Sequence, residues 1–189
     1  MEPSRSRRRA GRAGLRVVAG HLRGRRLRAP TGRGTRPTSD RVREALFSIL
    51  GPLEGAGVLD LFAGSGALAI ESLSRGAGHA TLVDRDPRAI AAIQRNLAAL
   101  GLDTATVHRR DALAFLRAAT GPWDLVFLDP PYDDAPGWGE PLLRALPAVL
   151  SANARIVTGS DTRFPLVLEL PLEVDRVYGD TRIAVYRGS

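Results

Sequence analysis

Apolar positions along this chain change their period in a regular way. Residues 15–28 alternate apolar and basic side chains around His21-Leu22-Arg23-Gly24, which suggests a short hairpin with an arginine-rich face. Residues 29–38 read as loop. Ser39 or Asp40 can cap a helix to about Leu50, with Val42, Leu46 and Ile49 on one face. From Val58 the rhythm becomes strand then helix. Short apolar runs at Val58–Phe62, Ala80–Asp84, Ala105–Arg109, Trp123–Asp129 and Arg155–Gly159 read as strands. The intervals 67–75, 87–100, 111–119 and about 138–149 read as helices, the second ended by Gly101. Alternating units of this size predict an α/β fold with a parallel, doubly wound sheet. The rhythm then breaks: Leu166–Tyr178 and Thr181–Tyr186 are extended runs around Gly179-Asp180, a hairpin signal. No internal repeat is visible.

Length and composition narrow the picture. At 189 residues the chain is long enough for one domain with an ordinary core. There is no cysteine, which excludes disulfides, thiolate metal sites and a cysteine nucleophile. His21, His79 and His108 are too scattered for a metal site, so no metal is expected. No apolar run reaches membrane-spanning length.

Charge is unevenly placed. Residues 1–43 hold 14 arginines against Glu2 and Asp40, whereas the other 146 residues hold 13 against 18 acids. A basic arm on a mildly acidic body points to a polyanionic partner, most simply nucleic acid. All 27 basic residues are arginine, so the choice of Arg over Lys reads as codon bias and only position carries meaning. Residues 1–14 are Arg-, Gly- and Ser-rich and are expected to be a disordered basic tail, with an organellar transit peptide as the alternative.

Two motifs carry chemistry. Asp60-Leu61-Phe62-Ala63-Gly64-Ser65-Gly66 occupies the first strand-to-helix turn, and Gly64 and Gly66 let the backbone approach a ligand. Asp84 ends the second strand, twenty residues after Gly64, where a carboxylate can accept both hydroxyls of a ribose. These describe an adenosine-containing cofactor. The run from Gly64 also fits a nicotinamide-type GxGxxA fingerprint. Asp60 favours the other choice, because it would repel a pyrophosphate and suit a cofactor carrying an ammonium and a sulfonium. Asp111 fits an acceptor for the adenine amino group or, equally, a helix N-cap.

The second motif is Asp129-Pro130-Pro131-Tyr132, at the carboxyl edge of the sheet, where ligands of open α/β folds bind. The prolines stiffen the turn and remove donors. What remains is a pair of acceptors, the Asp129 carboxylate and the Pro130 carbonyl, which matches an exocyclic NH₂ group. Tyr132 offers a ring for a base to stack on.

Together with Arg16–Gly20, Arg23–Leu27, Arg36-Pro37-Thr38 and Asp40–Phe47, these motifs resemble one bacterial family, the RsmD family of 16S ribosomal RNA guanine-N2 methyltransferases, over about residues 15–187. The resemblance implies a Rossmann-like class I methyltransferase fold: a seven-stranded, mostly parallel sheet with an antiparallel last strand, preceded by an N-terminal β-hairpin and helix. The chain then divides into the tail 1–14, which is extra to the family pattern, an RNA-binding hairpin and helix 15–50, and an S-adenosylmethionine-dependent methyltransferase domain 51–189. The resemblance implies S-adenosylmethionine as cofactor, held by Asp60, Phe62, Ala63, Gly64, Ser65, Gly66, Asp84, Arg85, Asp111, Ala112 and Thr38, with Asp129, Pro130, Pro131 and Tyr132 catalytic. The RNA partner, as free 16S rRNA, an assembly intermediate or the small subunit, would meet Arg16, Arg23, Arg25, Arg26, Arg28, Arg36, Arg41 and Arg43. A cytoplasmic location follows from that partner, and nothing demands a dimer. Thr158-Gly159-Ser160 departs from the family pattern, where a more apolar, acid-ending strand is expected. DNA adenine-N6 methylation, a non-catalytic RNA-binding assembly factor and a nicotinamide oxidoreductase are the competing readings.

Overall fold

The computed structural model describes residues 14–31 and 38–188, without the side chains of residues 132–134. The expected tail lies almost wholly outside the described residues, as do Arg36 and the side chain of Tyr132. The secondary elements, in chain order, are α1 (Asp40–Leu50), β1 (Gly57–Asp60), α2 (Ala67–Ser74), β2 (His79–Asp84), α3 (Pro87–Leu100), β3 (Ala105–Arg109), α4 (Ala112–Leu116), β4 (Trp123–Leu128), α5 (Gly139–Ala145), β5 (Leu150–Asp161), β6 (Leu172–Tyr178) and β7 (Thr181–Arg187). The strands form one seven-stranded sheet in the order β3-β2-β1-β4-β5-β7-β6. The first five are mutually parallel, and β7 runs antiparallel to both β5 and β6. The expected class I architecture is therefore present.

Local chemistry explains the helix ends. The Ser39 hydroxyl accepts from the Val42 N–H and opens α1. Asp86 caps α3, Pro87 fills its first turn, and left-handed Gly101 closes it. Central strands are buried on both faces, as β1 shows throughout its length. One apolar cluster covers one face of the sheet and includes Val17, Leu22 and Leu27 of the arm and Val42, Leu46, Phe47 and Leu50 of α1. The other face packs Leu59, Val126, Leu128, Ile156 and Tyr186 under Phe115, Trp123, Leu142 and Leu146.

Several expected elements come out differently. The helix expected near 138–149 is three pieces: a 3-10 helix Tyr132–Trp138, α5, and a 3-10 helix Leu146–Val149. Pro136 and Pro147, with Gly137 and Gly139, prevent one continuous hydrogen-bond ladder. The extended run 166–178 forms a strand only from Leu172, after Pro165 and Pro171 have removed two donors. Helix α4 is shorter than 111–119, and β5 is much longer than 155–159. In α1 the buried face is Val42, Arg43, Leu46, Phe47 and Leu50, with Ile49 only half-buried.

The arm forms a minimal hairpin, with a single antiparallel bridge between Arg16 and Arg26. Its backbone pairs Val17 N–H with the Arg25 carbonyl and Leu27 N–H with the Leu15 carbonyl, at 2.9 and 2.8 Å. Its other polar groups are taken up by α2 and α3. Glu71, fully buried, accepts the N–H groups of Val18 and Ala19 at 2.7 and 2.9 Å and the Arg75 Nε at 2.8 Å. Ser74 accepts the Leu22 N–H and donates to the Ala19 carbonyl. A Cβ at Gly20 would lie 1.8 Å from the Ser74 carbonyl oxygen, so only glycine permits this approach. Asn96, 2% exposed, accepts the Arg28 N–H and donates to the carbonyls of Arg28 and Ser65. It thus ties the arm to the turn after β1.

Candidate active site

Strands β1, β2 and β4 end side by side, and their last residues surround one cavity of about 340 Å³, an ordinary size for a small-molecule site. Asp60, Phe62, Ala63, Gly64 and Ser65 line it from the β1 turn, Asp84 and Arg85 from the end of β2, and Asp111 and Ala112 from the start of α4. Asp129, Pro130 and Pro131 line it from the end of β4, and Thr38 from the segment before α1. Nearly all of the residues expected at the cofactor and catalytic positions therefore share one space. Gly66, behind the turn, has a positive φ of 78°.

The carboxylates differ in how they are held. Asp84 accepts the Gly64 N–H at 2.9 Å through Oδ2 and the Asp86 N–H at 2.8 Å through Oδ1. It is fixed in place with lone pairs remaining for a diol. Asp111 caps α4 by accepting the N–H groups of Leu113 and Ala114, both through Oδ1. The capping reading of this residue is therefore realised, and the carboxylate still faces the cavity. Asp60 is 1% exposed, and neither of its oxygens has a hydrogen bond of full geometry. Burial, then the neighbouring charges of Asp129 and Asp84, pushes its pKa up to about 8. Asp129 is raised to about 6 by burial, against a lowering from the Thr38 hydroxyl, which donates to its Oδ2 at 3.3 Å.

A cavity ringed by acids, one of them without a hydrogen bond of full geometry, opposes a pyrophosphate and suits a cation. The nicotinamide reading loses its basis here. Thr38 links the two halves of the site, since it lines the cavity while bonding to the catalytic-motif acid.

The Thr158-Gly159-Ser160 departure also finds its reason. A Cβ at Gly159 would lie 2.9 Å from the Asp129 Oδ1, so this strand position must be glycine for Asp129 to lie where it does. Strand β5 does end in an acid, Asp161.

Trp138 lines the cavity too, with its ring packed edge-on against Phe62 at 5.0 Å. Sequence reasoning missed it. Its place six residues after the Asp-Pro-Pro-Tyr motif, as one of two tryptophans, was the available signal.

The arginines divide. Arg23, Arg26, Arg28 and Arg41 are exposed. Arg16 is paired with Asp40 at 2.8 Å, and Arg25 donates to the Ala99 carbonyl at the end of α3. Arg28 joins Arg88 and Arg95 of α3 around a second, open cavity next to the first. Arg43 is corrected: it is fully buried, so its side chain is closed to an RNA phosphate. Its signal was its position on the apolar stripe of α1, four residues before Phe47.

The doubly wound sheet, its antiparallel final strand and the cavity at its carboxyl edge define a class I methyltransferase. Residues 15–187 match the family described as conserved hypothetical protein 95, and the chain belongs to that family. It is 41% identical over 188 residues to YlbH of Bacillus subtilis (strain 168), covering 92% of this chain and 98% of that protein. Over 124 residues it is 44% identical to the ribosomal RNA small subunit methyltransferase D of Escherichia coli (strain K12), 65% of this chain and 63% of the relative. The solved structure of yhhF from Escherichia coli superposes with a TM-score of 0.80 at 37% identity, covering 93% and 98% of the two chains. The RsmD resemblance is borne out.

Proposed function

We propose that this protein transfers a methyl group from S-adenosylmethionine to the exocyclic N2 of a guanine in 16S rRNA of the small ribosomal subunit. The observation that carries this reading is the rigid acceptor pair at the end of β4, Asp129 beside Pro130, opening into the same acid-lined cavity as Asp60 and Asp84. The name of the Escherichia coli relative supports the choice of RNA.

When bound, the cofactor supplies a methyl group on a positively charged sulfur. The chain's own groups do the rest. Asp84 accepts the ribose hydroxyls, Asp111 the adenine amine, and Asp60 faces the positive charge. Phe62 and Trp138 wall the cavity.

Guanine N2 is a poor nucleophile because its lone pair is delocalised into the ring. Asp129 and the Pro130 carbonyl accept its two N–H bonds, draw the nitrogen toward tetrahedral geometry and aim its lone pair at the methyl carbon. Most of the gain is orientation. With a pKa of about 6, Asp129 is mainly ionised at neutral pH and can accept. As the N–C bond forms, the nitrogen becomes cationic and strongly acidic, and Asp129 or water takes its proton. The base must leave its stack to reach this pocket, which favours a loop nucleotide. Arg23, Arg25, Arg26 and Arg28 grip the flanking phosphates.

The test is methyl transfer from labelled S-adenosylmethionine to small subunits lacking the modification, to free 16S RNA and to duplex DNA, followed by digestion to nucleosides. The expected product is N2-methylguanosine on RNA, reduced at least about 1,000-fold in Asp129→Ala while cofactor affinity changes little. Methyladenine on DNA would keep the chemistry and overturn the substrate.

A further inference from the structure

Arg43 is the largest fully buried side chain described, and a charge so placed demands an account. One nitrogen of its guanidinium is satisfied: Nη2 donates to the Arg16 carbonyl and to the Asp40 Oδ1, the latter at 2.7 Å. The other two nitrogens are not. Nε and Nη1 are buried with no hydrogen-bond partner. Asp40 also serves Arg16, so its charge is shared between two cations. Arg43 lines the same cavity as Asp60, Thr38 and Asp129. The other charged side chains around that cavity are Asp84, Asp86, Asp111, Arg85, Arg88 and Arg110. Of the four arginines, Arg85, Arg88 and Arg110 are exposed at its rim. Arg43 alone is buried.

Orphaned buried donors of this kind hold a place for a ligand acceptor. Nε and Nη1 lie on different sides of the guanidinium, and each leaves a charge-assisted N–H bond to offer an anionic group such as a carboxylate. Resting on the cofactor reading above, the geometry points to Arg43 as the residue that binds the carboxylate of the cofactor's amino-acid tail. The cavity is then bipolar. Asp60 and its neighbours meet the ammonium and sulfonium, and Arg43 meets the one anionic group of the ligand. The ion pair of Arg43 with Asp40 also fixes the first turn of α1, so the amino-acid tail reports directly to the segment that carries Thr38.

The test compares two ligands by calorimetry on the full chain: S-adenosylmethionine, and its decarboxylated analogue, which keeps both cationic groups. Wild type is expected to prefer the carboxylated ligand by about 10- to 100-fold. In Arg43→Gln that preference collapses to within about 3-fold, whichever way the affinity for the decarboxylated analogue moves. Arg43→Lys, which keeps the charge but not the two separate donor nitrogens, retains part of the preference. Equal affinity of the wild type for the two ligands overturns the assignment without any variant, so a poorly folding substitution leaves the test intact. A preference that survives in Arg43→Gln overturns it as well. If wild type binds neither ligand, the cofactor reading itself fails, a result distinct from loss of discrimination.

Discussion

Asp60 and Glu71 are both buried acids, eleven residues apart, and they lead opposite lives. Glu71 lies on the arm side of α2 and is fully partnered: two backbone N–H groups and the Arg75 guanidinium converge on it. Asp60 lies on the cavity side of β1 with no full hydrogen bond and two other carboxylates nearby. One region of the molecule has been completed by its own chain, and the other has been left incomplete. A completed buried charge holds the structure together. An incomplete one lowers stability and is retained where a ligand finishes it. Arg43 repeats the second pattern with the sign reversed.

Substitutions at the two acids separate these roles. Glu71→Gln leaves two backbone N–H groups competing for one oxygen and Arg75 without a charge partner. We expect a stability loss of about 2–4 kcal/mol by denaturant unfolding, with cofactor affinity nearly unchanged in the folded protein. A loss below about 0.5 kcal/mol would erase the contrast between the two sites. Asp60→Asn should do the reverse. Cofactor affinity falls by about 10- to 100-fold in titration calorimetry.

Its effect on stability depends on pH. In the unfolded chain Asp60 loses its proton near pH 4, whereas in the folded chain it keeps it to about 8. The native state therefore binds more protons between those values, and stability falls as pH rises through that window. Asp60→Asn removes this decline, so the variant gains on the wild type at pH 8 and not at pH 4. A wild-type-like slope of stability against pH would sink this account of Asp60.

The smallest effect sharpens the link between the regions. Thr38→Val deletes the donor that lowers the Asp129 pKa, so Asp129 is protonated at higher pH. The acid limb of the pH–rate profile moves upward, with turnover at pH 6 falling about 2- to 3-fold and turnover at pH 8 unchanged. An equal loss at both pH values would mean that Thr38 acts through cofactor or RNA binding and not through Asp129.

The parts of this molecule legible in sequence share one property: their cause is local. Apolar runs bounded by glycine and proline mark the five parallel strands, and a strand's end is where a βαβ fold must put its ligands. Asp60, Asp84 and Asp129 follow from that alone. Ser39 and Gly101 announce their caps at the positions found. The broken helix after Trp138 was also written locally, in Pro136 and Pro147, but the apolar spacing of Leu142, Leu146 and Val149 masks it.

What was hidden depends on partners far along the chain. Glu71, Ser74 and Asn96 look like ordinary helix residues until Val18, Leu22 and Arg28, fifty to seventy positions earlier, are laid against them. Arg43 misleads for the same reason, because an arginine on an amphipathic helix is normally assigned to water. Gly159 looks like a defect in β5 until Asp129 is seen against it.

The way the arm is fastened has a consequence for its history. Glu71, Ser74 and Asn96 grasp peptide groups, and peptide groups are common to almost every sequence. Apart from Gly20, the apolar anchors Val17, Leu22 and Leu27, and the Arg16 and Arg25 side chains that bond Asp40 and the Ala99 carbonyl, the arm can be respelled without coming loose. Its exposed positions are free to drift or to be grafted, while the body beneath stays as it is.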